Sequence, residues 1–426
     1  MSEPPDAPYL PRVADRLLDE HMGVMGAVLI EGVKGCGKTE TARQRAASEV
    51  LLDVEPEAAR RAALDPRLIL DGPTPRLLDE WQRVRPIWDS VRRAVDARRR
   101  PGQFILTGSA TPDDSDDDDD VRHSGAGRFG VLRMRTMTLT EKQATTPVVS
   151  LAGLLGGGAP PPCNSPLTVR DYLHHIAVGG WPYLVGATEA AAETFLQGYL
   201  DIVIRRDMAK ASGADRNPRL VRRFLAAYSQ VVAHPAQLAT IARRADDTAV
   251  ATAPPTRSTM QRYLDTLRRM MIVDEIPAWD PAVRSSKRLI ATPKRHLADP
   301  SLAATLLGMS SSRMLDDLTT TGFLFESLVA HDLRVYAEAV GAACFHYREA
   351  DARLEVDCVL ETRDGDWVGI EVKLGSTDLD KAAVSLRRLA ERVPRPPKAL
   401  VIITGTSLAY TRDDGIHVLP LGVLGP

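Results

Sequence analysis

Between residues 27 and 47 an apolar run, a glycine-rich turn and a helix-forming segment follow one another without a gap. The turn, Gly32-Val33-Lys34-Gly35-Cys36-Gly37-Lys38-Thr39, fits G-x-x-x-x-G-K-[ST]. Ala27-Val28-Leu29-Ile30 has no polar face and reads as a strand buried in a parallel sheet. Thr41 to Ala47 is good helix-forming sequence. A glycine turn between a strand and a helix aims backbone N–H groups and the helix dipole at one point, which suits a phosphate. Gly32, Gly35 and Gly37 let the backbone turn at positive φ and approach an anion closely. Lys38 would reach the β- and γ-phosphates of ATP, Thr39 would bind Mg²⁺, and Glu40 joins the nucleotide-binding set. The plain alternative, a glycine turn ending in an unrelated lysine, does not account for the flanks.

Cleaving a bound triphosphate needs acids at the end of a second strand. Leu77-Leu78-Asp79-Glu80 offers them: the apolar pair would lie in the sheet and both carboxylates would emerge at its C-terminal edge. Asp79 would hold Mg²⁺ and Glu80 would activate the attacking water. An acidic pair opening a helix is the competing reading. Phe104-Ile105-Leu106-Thr107-Gly108-Ser109 reads as a third strand whose polar end, Thr107 or Ser109, could sense the γ-phosphate; an ordinary strand-to-turn exit has the same composition. Trp81 to Arg100 is helical in pattern, with arginines on a solvated face. The acidic run Asp113-Asp114-Ser115-Asp116-Asp117-Asp118-Asp119-Asp120 repels itself and is expected to be a disordered loop, not a metal site. Beyond it, Arg128 of Gly125-Ala126-Gly127-Arg128 is either an arginine finger, often serving a neighbouring subunit, or an exposed loop arginine.

These motifs, with Leu139-Thr140-Glu141, resemble in their order a prokaryotic family of AAA-type ATPases whose C-terminal domain has a restriction-endonuclease-like core. The resemblance covers most of the chain. It implies an AAA-like core with Asp79 and Glu80 as its acidic pair and Arg128 as a finger. The turn Gly179-Gly180-Trp181-Pro182 also matches a feature of that family, and the acidic run looks like an insertion.

With 426 residues the chain exceeds one hydrophobic core. The expected α/β organisation is a parallel-sheet ATPase domain (1–150), a linker and helical region (151–218), a winged-helix-like domain (219–308) and a restriction-endonuclease-like domain (309–426). Leu154-Leu155-Gly156-Gly157-Gly158-Ala159-Pro160-Pro161-Pro162 marks a mobile loop or boundary. Leu220–Val232, Leu238–Arg244 and Ser258–Arg269 read as three helices, followed by a hairpin of Ile272–Ile276 with Arg288–Thr292. The third helix carries Arg262, Arg268 and Arg269, with Arg257 just before it. DNA binding and a protein-binding winged helix with a solvated basic face both fit.

Near the C-terminus, Glu371 and Lys373 lie two apart on an expected strand and so share a face, and Asp357 can meet them across a hairpin. Asp357, Glu371 and Glu326 would bind Mg²⁺ while Lys373 steadies an anionic transition state. This is similar to the D…(E)xK pattern of restriction-endonuclease-like enzymes. A hairpin with solvent-facing charges is the alternative.

The expectation is thus an Mg²⁺-dependent ATPase acting on DNA or a DNA-associated partner, oligomeric, and without a membrane span. Alternatives are an ATP-gated nuclease and a non-catalytic ATP-binding regulator. Net charge is −2, and Met1 to Asp6 lacks a basic-then-apolar signal pattern. Four scattered cysteines, without metal-site spacing, fit a reducing cytoplasm.

Overall fold

A computed structural model describes residues 8–108, 124–212, 217–246, 256–282, 291–349 and 353–426. Ser109, the acidic run and most of Arg288–Thr292 lie outside the described residues. The chain divides into two compact units, Met1–Thr136 with Arg269–Met271, and Met137–Arg268 with Ile272–Pro426.

In the first unit, β1 (Ala27–Gly32), β2 (Ser48–Leu51), β3 (Arg76–Asp79), β4 (Phe104–Gly108) and β5 (Phe129–Met134) form one sheet. All neighbours are parallel, in the order β2-β3-β4-β1-β5. Ala27 to Ile30 is buried on both faces, as its unbroken apolar run requires. Leu29, Leu78, Leu106 and Phe104 meet Ile87 and Val91 in one core cluster. Because β4 is inserted between β1 and β3, Thr107 lies level with both Ile30 and Asp79. That insertion brings three loops from distant sequence to the same sheet edge. The helix after the glycine turn is shorter than expected: it ends at Arg43, because Ala47 already bonds to Pro75 and β2 begins at Ser48. Trp81–Arg83 is a single tight turn, and the helix proper is Ile87–Arg98.

The second unit is built on a mixed sheet of order β7-β12-β13-β11-β10-β9-β8. Its strands are β7 (Cys163–Asn164), β8 (Ala342–Arg348), β9 (Glu355–Thr362), β10 (Trp367–Lys373), β11 (Ala399–Thr404), β12 (Leu408–Thr411) and β13 (His417–Pro420). Helix Leu379–Arg392 sends Leu386 and Leu389 into a core with Val359, Trp367 and Ile402. The expected boundaries at 150 and 218 are not where the units divide. β6 (Val149–Ser150) pairs with β14 (Leu424–Gly425), β7 pairs with β12, and the Gly422 N–H donates to the Tyr172 hydroxyl at 2.8 Å. The glycine-proline run is therefore a loop inside the second unit, following helix Leu151–Leu155. Its composition marks a turn, and only the pairing partners, some 250 residues away for Tyr172 and Gly422, assign it to a domain.

Pro218–Ser229, Leu238–Asp246 and Arg257–Arg269 are helices, in the expected order. The expected hairpin arm Arg288–Thr292 lies mostly outside the described residues; among the described residues Ile272–Ile276 is bridged antiparallel from Val273 to Leu297 and from Ile276 to Lys294. At the Gly179–Pro182 turn, Gly179 has φ +83° and a Cβ there would stand 2.5 Å from Ser301 Oγ, so only glycine fits. Among the described residues no helix is long and apolar enough to cross a membrane.

Candidate active site

The glycine turn leaves β1 at the C-terminal edge of the first sheet. Gly35 and Gly37 take positive φ, +80° and +105°, as the motif requires. Gly32 is needed for a different reason: a Cβ there would stand 2.2 Å from the Met134 carbonyl oxygen at the end of β5. Gly37 caps the helix Lys38–Arg43, whose first amides lack intrahelical acceptors. The Lys38 ammonium is buried and donates to the loop's own Gly32 and Val33 carbonyls at 2.9 and 3.1 Å.

Asp79 ends β3 and is buried. Its Oδ1 accepts the Thr39 hydroxyl at 2.8 Å and also the Thr107 hydroxyl. Glycine turn, acidic strand and third strand thus converge on one carboxylate oxygen. Hydroxyl and carboxylate are hard oxygen donors of the kind Mg²⁺ prefers, so Thr39 and Asp79 fit that ion. Glu80 follows in a left-handed conformation, φ +53°, unusual for a side chain with a Cβ. Gln82 Nε2 donates to its carboxylate at 2.5 Å. Gln82 also explains Gly108, where a Cβ would stand 2.6 Å from Gln82 Oε1. Glu40, in the first turn of helix Lys38–Arg43, is exposed and its carboxylate pairs with Arg43 at 2.6 Å.

Arg12 and Tyr9 were not singled out by sequence. The buried Arg12 guanidinium donates to the Cys36 carbonyl inside the glycine turn and to the Arg135 carbonyl, both at 2.8 Å. The Tyr9 hydroxyl donates to Asp15 at 2.7 Å and meets the Thr41 hydroxyl at 3.0 Å. Burial first, and then Asp15, push the Tyr9 phenol up. Both residues precede β1 with no motif around them, so no local signal announces them.

Arg128 lies at the start of β5, where its carbonyl accepts the Ala27 N–H. This is the edge of the sheet opposite the glycine turn, about 20 Å along a six-residue strand. Its guanidinium pairs with Asp96 at 2.9 Å and is partly exposed. It does not reach its own chain's glycine turn.

In the second unit, Glu326, Asp357, Glu371 and Lys373 do converge. Lys373 Nζ donates to Glu371 at 2.8 Å and lies 3.8 Å from Asp357 Oδ2. The Val372 N–H donates to Asp357 Oδ2 at 2.9 Å. The centre of the cluster, however, is a residue the sequence did not suggest. Lys294 Nζ lies 2.6 Å from Glu326 Oε1 and 3.0 Å from Asp357 Oδ1. Burial, and then the charge of Asp357, raise Glu326 and Glu371 each to about 8. Burial works to raise Asp357 too, but Lys294 and Lys373 outweigh it and hold Asp357 below the usual range. Burial would lower both lysines, yet Asp357 and its neighbours raise them. Of the expected Mg²⁺ ligands Asp357, Glu371 and Glu326, two thus have an ammonium standing between them. Among the described residues no group of three His, Cys, Asp or Glu side chains is arranged to hold a metal ion.

Three family models match separate spans of the chain. Residues 25–142 match the family model described as an AAA domain. Residues 169–313 and 321–424 match models described as domains of unknown function, DUF8612 and DUF4143. Uncharacterized protein Rv2008c of Mycobacterium tuberculosis and uncharacterized protein Mb2031c of Mycobacterium bovis are each 27% identical over 360 residues, 82% of this chain and 70% of theirs. The Walker-type ATPase PABY2304 of Pyrococcus abyssi aligns with a TM-score of 0.41 at 14% identity, over 69% of this chain and 94% of that one, a likeness too loose to add to the topology above. With the glycine turn, the parallel sheet and the matched span coinciding, the N-terminal module is an AAA-type P-loop module.

Proposed function

We propose that the N-terminal module binds ATP with Mg²⁺ and hydrolyses it, and that the energy drives work on DNA or a DNA-associated partner. The observation that carries the ATPase reading is the meeting of Thr39, Asp79 and Thr107 on one oxygen at the mouth of the P-loop. The loop amides and Lys38 hold the phosphates, which requires Lys38 to exchange its two loop carbonyls for phosphate oxygens. Thr39 and Asp79 hold Mg²⁺, which neutralises charge on the phosphates when bound. Glu80, fixed by Gln82 and by its left-handed backbone, orients the attacking water and takes its proton. Thr107 links that acid pair to β4 and reports the state of the γ-phosphate through Asp79. Arg128, at the opposite sheet edge, serves the nucleotide of a second copy, which makes the working form an oligomer. DNA is the partner class favoured for helix Arg257–Arg269, where Arg257 and Arg262 are exposed; Arg268 is held by Asp265 and Glu275 at 3.1 and 2.7 Å. The four free cysteines fit a reducing, cytoplasmic setting.

The test is a Glu80→Gln variant. It should retain ATP and slow turnover by about 100-fold. Loss of binding, or unchanged turnover, would refute the role given to Glu80. Wild-type turnover that DNA stimulates would support the partner class, and turnover indifferent to DNA would remove it.

A further inference from the structure

The C-terminal cluster has the acids of a metal-dependent nuclease but a different cation. We propose that Lys294 is its resident cation, standing where a divalent metal would have to sit and making the cluster an ionic staple, not a cleavage site. An ammonium has three hydrogens to donate. Here all three find oxygen: Glu326 Oε1 at 2.6 Å, Asp357 Oδ1 at 3.0 Å and the Asp357 carbonyl at 3.3 Å. The Lys294 side chain is only 1% exposed. The other Asp357 oxygen is taken by the Val372 N–H, and Glu371 is taken by Lys373. A divalent ion entering this group would meet one buried ammonium at contact distance and a second nearby, in a low-dielectric setting where like charges repel strongly.

Lys294 cannot readily withdraw. Its backbone exchanges two hydrogen bonds with Ile276, at 2.9 and 3.0 Å. Two residues on, His296 Nδ1 meets Ser327 Oγ at 3.1 Å, on the same helix as Glu326. One lysine therefore ties three segments: the bridged pair at Ile276, helix Leu318–Ala339 through Glu326, and β9 through Asp357. The same link connects the arginine-bearing helix Arg257–Arg269, a few residues before Ile276, to the C-terminal sheet.

The experiment uses the full chain without nucleotide and Mn²⁺ as the probe, with thermal unfolding as the readout. Wild type should show no rise in Tm on adding Mn²⁺. Lys294→Ala removes the ammonium and leaves room, so its Tm should start lower and rise with Mn²⁺; adding Glu371→Gln should abolish that rise. A wild-type Tm that rises with Mn²⁺, and stops doing so in Glu371→Gln or Asp357→Asn, would overturn the proposal. So would a folded Lys294→Ala protein indifferent to Mn²⁺. If Lys294→Ala does not fold, the wild-type and Glu371→Gln pair decides alone: no Mn²⁺ effect in either supports the proposal, and a rise confined to wild type sinks it.

Discussion

The P-loop edge of the first sheet and the acidic cluster of the second unit hold the same kinds of group, arranged to opposite ends. At the first, among the described residues, the buried Lys38 bonds to two carbonyls of its own loop and Asp79 accepts two hydroxyls. Among the described residues neither Lys38 nor Asp79 is in an ion pair, so a phosphate and a divalent ion can supply the opposite charges. At the second, Lys294 and Lys373 already stand against Glu326, Asp357 and Glu371. A set of acids and lysines reads as catalytic from sequence in both places, and what separates them is whether the charges are spent on one another.

The contrast is broken most directly at Lys38. Lys38→Ala should abolish measurable ATP turnover while Lys373→Ala leaves it unchanged; equal losses in the two variants would erase the distinction. Next in size is Arg128→Ala, which should slow turnover by about 1,000-fold if the residue completes a neighbour's site. Mixing it with Lys38→Ala should restore part of the activity, because each chain then offers what the other lacks. Restoration failing in a mixed oligomer would return Arg128 to its surface pair with Asp96. At the C-terminal cluster, Lys294→Ala should lower unfolding stability by at least about 3 kcal/mol in urea, since removing one partner leaves buried carboxylates uncompensated. A near-neutral substitution would mean that the cluster carries no structural load.

The smallest effect is one of pH. Glu326 and Glu371 have folded values of about 8, above their ordinary 4.5. Between those values the folded chain holds more protons than the unfolded one, so stability falls as pH rises through that window. Their contribution is complete below about 4.5 and lost above about 8. Thermal unfolding across that window should show a shallower slope in Glu371→Gln than in wild type, and identical slopes would contradict the assignment.

Legibility in the sequence followed the range of the interactions. The P-loop was plain because its strand, turn and helix are consecutive, and β10 was plain because two-residue alternation fixes the shared face of Glu371 and Lys373. Asp79 could be chosen from its strand, but its bond to Thr107 depends on β4 lying between β1 and β3, which no local pattern states. Lys294 was invisible for a stronger reason. It lies in Thr292-Pro293-Lys294-Arg295-His296, a polar stretch that reads as surface, and its partners are 32 and 63 residues away. Arg12 was hidden likewise, 24 and 123 residues from the carbonyls it joins. The misplaced boundary at residue 150 has the same origin, since a glycine-proline run shows where a chain turns and not which sheet it rejoins.

Counting bound Mn²⁺ by electron paramagnetic resonance, with and without a non-hydrolysable ATP analogue, tests both sites at once. One ion per chain should appear only with the nucleotide, vanish in Asp79→Asn and persist in Glu371→Gln. An ion held without nucleotide and released by Glu371→Gln would contradict the account.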